Sequence, residues 1–166
     1  MAEYTTIAAG HAITYEGYVD IGSYWAQIRR LFEKRGYAYF EREHNEIVAR
    51  DGKEIFLKAD SDRELSDDAK SRITVQLQVR NSKEVTIELD GKPKRVNECT
   101  MKITTSAYLV TDYEGRYQHV ASLFFLRRIY EKFFGVRELK KLTRVVQRDY
   151  EDIIKETKHY LNLSKY

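Results

Sequence analysis

Residues 139–161, LKKLTRVVQRDYEDIIKETKHYL, decide the fold. Their apolar side chains recur at Leu139, Leu142, Val145, Val146, Tyr150, Ile153, Ile154, Tyr160 and Leu161. That recurrence follows the 3.6-residue period of a helix and excludes the alternation of a strand. The segment closes a longer helical pattern over residues 117–163. Upstream, Val120, Leu123, Phe124, Ile129, Tyr130 and Phe133 keep helical spacing, and Gly135 breaks or bends the run. A helix of this length with one apolar face needs a surface to lie on.

The preceding strands supply that surface. Cys99, Met101, Ile103, Thr105, Ala107 and Leu109 share one face against Thr100, Lys102, Thr104, Ser106 and Tyr108. Ile73, Val75, Leu77 and Val79 alternate with Thr74, Gln76, Gln78 and Arg80, and Val85, Ile87 and Leu89 with Thr86 and Glu88. One apolar face and one polar face predict an antiparallel sheet covered on one side. Turns are expected at Asp51-Gly52, Asn81-Ser82 and Asp90-Gly91, and Glu114-Gly115 ends the sheet. Residues 37–49 read as a strand, followed by one with Ile55, Leu57 and Ala59 inward. The acidic stretch 60–68, DSDRELSDD, reads as a loop that interrupts the sheet. It opens like a calcium loop, but Leu65 stands where that loop needs glycine and Ser71 where it needs a bidentate glutamate.

Toward the N-terminus, residues 1–10 read as a loose or edge segment and residues 11–19 as a first strand. Asp20 is placed to cap a helix carrying Ile21, Tyr24, Trp25, Ile28, Leu31 and Phe32, and Gly36 to stop it. A chain of 166 residues, 42% hydrophobic and 33% charged, fits one globular domain over 1–166. The single cysteine, Cys99, forms no internal disulfide, which fits a reducing cytoplasm. No apolar run reaches the roughly 20 residues of a transmembrane helix.

The element order is strand, helix, two strands, acidic loop, three or four strands, long helix. This order resembles the helix-grip architecture of the START-like superfamily, which includes birch-pollen-allergen-like and polyketide cyclase-like proteins. The resemblance rests on the opening strand and helix, the turns at Asp51-Gly52 and Asp90-Gly91, and the terminal helix. It implies an α+β fold in which a curved antiparallel sheet wraps around the long C-terminal helix. It further implies a hydrophobic small molecule, lipid-like or aromatic, held between sheet and helix. Such a pocket would be lined by Val75, Leu77, Met101, Ile103, Thr105, Ala107 and Leu109 from the sheet, with Val146 and Tyr150 above. Trp25 and Tyr24 would close one end.

The charge pattern carries the other reading. Residues 127–148 hold eight basic and two acidic side chains, while the whole chain is only +3. Arg137, Lys140, Lys141, Arg144 and Arg148 fall on one helix face, with Arg127 and Arg128 just upstream. Such a row neutralises phosphates, of RNA or of an anionic membrane surface. Its bland alternative is a solvated face offset by Glu131, Glu138, Asp149 and Glu151 at helical spacing. No glycine-rich phosphate loop, nucleophile elbow or dinucleotide fingerprint occurs. His11, His44, His119 and His159 are scattered, and the sequence points to no metal ligand and no cofactor. An enzyme of the cyclase or hydrolase kind ranks last; Glu41, Glu43 and Glu46 would form an acid/base pair only in a pocket, and on a charged strand they read as surface.

Overall fold

The computed structural model describes residues 2–89, 91–111 and 136–163. Its elements are β1 (Glu3–Val19), α1 (Ile21–Lys34), β2 (Ala38–Ala49), β3 (Gly52–Ser66), β4 (Ala69–Leu89), β5 (Lys92–Thr111) and α2 (Val136–Leu163). The five strands form one curled, open antiparallel sheet in the order β1-β5-β4-β3-β2. This is the expected α+β, helix-grip-like arrangement. The basic residues Arg127 and Arg128, the helical pattern before Gly135 and the sheet end at Glu114-Gly115 lie outside the described residues.

Alternation fixes which sheet face is covered. Leu57, Ile73, Val75, Leu77, Val79, Met101, Ile103 and Leu109 point inward and are buried. Tyr24, Ile28 and Phe32 of α1 and Val146, Tyr150, Ile153 and Leu161 of α2 complete the same core. α1 begins where Asp20 accepts hydrogen bonds from the Ser23 amide at 3.0 Å and the Ser23 hydroxyl at 2.6 Å. It ends at Gly36, whose φ of 76° lies in the left-handed region glycine tolerates. Cys99 is a core residue whose thiol burial pushes up to about 11.

Three sequence expectations are corrected. The first strand starts at Glu3 rather than at residue 11: of the two alternatives for the N-terminal segment, residues 3–10 take the edge one, as part of the outer strand β1 paired with β5 from Glu3↔Thr111 onward. Register shifts between Thr6 and Ala8 and between Ala8 and His11 break their alternation.

Most of the acidic stretch 60–68 is not a loop; only Asp67-Asp68 turn the chain. β3 continues through it to Ser66, and its outward carboxylates meet cations across the sheet. Arg72 donates to both Asp62 oxygens at 2.7 and 2.6 Å, and Lys70 donates to Asp62 at 3.1 Å. Arg42 and Thr74 serve Asp60 in the same way. Burial by itself would raise the Asp62 carboxyl, but the hydrogen bonds from Arg72 and Lys70 outweigh it and hold the group below its ordinary value. A carboxyl depressed on folding adds stability that is fully present above the ordinary value of 3.8 and is lost as pH falls through its lower folded value. The stability gap between wild type and Asp62→Asn is therefore expected to be constant at neutral pH and to close in acid below pH 3.8. Chemical denaturation across that range checks it; a gap that persists in acid would show that lost charge is not the cause.

The third correction concerns Asn81-Ser82. β4 runs unbroken through them, so the sheet has five strands rather than six or seven. The pairing of β4 with β5 slips between Arg80 and Lys83, and Asn81 takes a φ of 54°, so a bulge replaces the expected turn. The β2–β3 turn packs onto this bulge. A Cβ on Gly52, whose φ is 138°, would lie 2.9 Å from both the Asn81 carbonyl carbon and the Ser82 carbonyl oxygen. Backbone offers no way to yield, so Gly52→Ala is expected to cost about 2–3 kcal/mol. Urea denaturation measures it, and a change below about 0.5 kcal/mol would show that the turn relaxes freely.

Candidate functional site

The seam between sheet and α2 gathers nine of the ten residues expected around a ligand. Val75, Leu77, Met101, Ile103, Thr105, Ala107, Leu109, Val146 and Tyr150 are all at most 8% exposed. The Thr105 and Tyr150 hydroxyls lie 3.2 Å apart, so each polar tip is satisfied within the core. A side chain facing a water-sized hollow keeps contactable surface, and these keep almost none, so they pack on one another. Trp25 stands apart from them, between α1 and β2. Its indole donates to Glu41 at 3.1 Å and its ring meets Tyr39 edge-on. Glu41 and Glu43 also lie at the surface, beside His44 and Lys58 respectively.

One end of the seam is pinned by polar groups that sequence periodicity does not reveal. The Tyr37 hydroxyl donates to Asp149 at 2.8 Å and lies 2.9 Å from the Ser71 hydroxyl. Arg63 reaches the same Asp149 oxygen at 2.7 Å and lies over the Tyr37 ring, 5.0 Å from its centre. It also donates to the Arg35 carbonyl beyond α1. Burial pushes the Tyr37 phenol well above its ordinary value, and the Asp149 carboxylate pushes the same way. The protonated phenol is therefore a permanent donor. Beside the seam, a groove of about 150 Å³ runs between α1 and α2. Ile28, Leu31 and Tyr160 form its apolar part, with Gln27, Glu156 and His159 at its rim.

The opposite side of α2 has a different character. Arg137, Lys140, Lys141, Arg144 and Arg148 are all exposed, on the side of the helix away from Val146, Tyr150 and Ile153. Among the described residues none of the five has an ion-pair partner. Three of the acids near them in sequence have other partners. Asp149 faces Arg63 and Tyr37, Asp152 lies 3.7 Å from Arg35, and Glu151 accepts from Gln147 at 2.9 Å. Only Glu138 lies within the row, so residues 137–148 carry five cations against one acid. The buried stripe of α2 is narrower than its periodicity suggests, because Leu139 and Val145 are 43% and 38% exposed.

No helix among the described residues is long and apolar enough to cross a membrane. No cluster of three or more His, Cys, Asp or Glu side chains among them is arranged to hold a metal ion. No family model, curated protein or solved structure matches this chain.

Proposed function

We propose that the protein docks on RNA, or on an RNA–protein particle, through the outer face of α2. The observation that supports this is the row of five exposed cations that form no ion pair among the described residues and share residues 137–148 with a single acid, Glu138. A face kept only for solubility gains by pairing its charges within the helix; this one holds its cations in five-to-one excess and, among the described residues, out of ion pairs. A membrane surface fits less well, since a helix that lies in lipid needs its apolar face free. Here Val146, Tyr150, Ile153 and Leu161 are buried in the core. The test is binding of labelled RNA by the wild-type chain across a salt series. Affinity that does not fall with salt would reject phosphate contacts as its source.

A small apolar ligand is the second reading, favoured by the helix-grip arrangement and by the groove between α1 and α2. That groove has room for about one benzene-sized group, less than a lipid. Native mass spectrometry of the purified protein, before and after organic extraction, is expected to show a small adduct that leaves on unfolding. A bare mass, unchanged when small aromatic compounds are added, would reject this reading.

A further inference from the structure

Resting on the docking reading above, we infer that the nucleic acid is duplex RNA, held by its phosphates across the shallow minor groove. Three observations carry this. First, the cations stand on a fixed rod. α2 is tied down by Tyr150 to Thr105, Asp149 to Arg63 and Asp152 to Arg35, at 3.2, 2.7 and 3.7 Å. A fixed array meets a duplex, whose phosphates are already in place, without the ordering cost that a flexible strand must pay.

Second, among the described residues no Phe, Tyr or Trp ring lies on the outer face of α2 to serve as a platform for bases. Single strands are gripped by stacking on aromatic rings. Tyr150 is buried in the core, and Tyr160 is turned inward against Tyr24, with ring centres 5.4 Å apart. The exposed cations facing outward are Arg137, Lys140, Lys141, Arg144, Arg148 and, past Glu151, Lys155 and Lys158, with His159 exposed beyond them. From 137 to 158 they span about 30 Å along the helix axis.

Third, α2 cannot sink into a groove. Its inner side lies against the sheet, so only its outer arc meets a partner. The major groove of B-form DNA, about 8.5 Å deep, suits a helix free on most of its circumference. The minor groove of an A-form RNA duplex is wide and shallow, and it is read by shape and phosphate contacts. Recognition of this kind takes no account of base sequence.

The experiment is fluorescence anisotropy with the full chain and three probes at 50–200 mM salt: an RNA duplex of about 20 base pairs, one of its strands, and the DNA duplex of the same sequence. The RNA duplex is expected to bind roughly tenfold tighter than either competitor, with five phosphate contacts weakening its binding about 500-fold over that salt range. A single strand or a DNA duplex that binds as tightly as the RNA duplex would overturn this inference while leaving the docking reading in place. Equal binding of all probes by wild type and by a variant with Arg137, Lys141 and Arg144 changed to glutamate would overturn the docking reading itself.

Discussion

Asp149→Ala is expected to lower the stability of the protein by about 3 kcal/mol, a fall in Tm of roughly 6–12 °C for a chain of this size. The carboxylate is 14% exposed and satisfies two groups at once, the Arg63 guanidinium and the Tyr37 hydroxyl. Removing it leaves a largely buried cation and a buried donor without their acceptor. That loss costs far more than a surface ion pair contributes. Arg63 is itself 24% exposed, so solvent offsets part of the penalty and the lower end of the range applies. Two companion variants isolate the cause. Asp149→Asn keeps an acceptor for Tyr37 and should lose less. The double variant Arg63→Ala/Asp149→Ala should lose less than its two singles added together, because the same interaction is removed twice. Thermal unfolding of the four proteins is the measurement. If Asp149→Ala melts within about 1 °C of wild type, the network does not hold α2 on the sheet.

The second large effect runs the other way, on binding with little change in stability. Changing Arg137, Lys141 and Arg144 together to glutamate is expected to weaken RNA binding at least about 100-fold near 100 mM salt. The slope of log affinity against log salt should shrink by about 3, one for each phosphate left without its cation. Stability should stay within about 0.5 kcal/mol of wild type, because the three side chains are exposed and, among the described residues, break no ion pair on leaving. Relief of repulsion within the row can even raise it slightly. RNA binding unchanged by the triple variant would exclude this face as the docking surface. Binding lost together with a fall in Tm of many degrees would instead trace the effect to the fold.

How far the sequence could be read depended on how local the governing interactions were. The periods of β4, β5 and α2 repeat the same face every two residues or every turn. They identified the covered sheet face, and with it nine residues that meet at the seam. The capping of α1 by Asp20 and its stop at Gly36 were likewise local and readable. What was not readable depends on partners far along the chain. The bulges at Ala8 and Asn81 break alternation for reasons set by the neighbouring strand. Asp60 and Asp62 looked like loop residues because Arg42, Lys70 and Arg72 meet them only through strand pairing. Trp25 shares the helical spacing of core residues yet turns to Glu41. Asp149 looked like one more acid available to the basic row, and no pattern within α2 signals that it belongs to Arg63 and Tyr37.

The pairing of β1 with β5 also governs how the chain comes together in time. Glu3 finds its sheet partner at Thr111, so β1 gains its one neighbour in the sheet only after β5, the last of the five strands in sequence, has been made. At ribosomal speeds that is a wait of roughly 5–20 s, with Ile13, Tyr15 and Val19 lacking their neighbour. Loop closure over such a separation is slow compared with the hairpins of β2 to β5, each of which joins strands adjacent in sequence. The hairpin stack therefore assembles as a template, and the N-terminal strand is the piece a nascent chain must keep from other partners until that template exists.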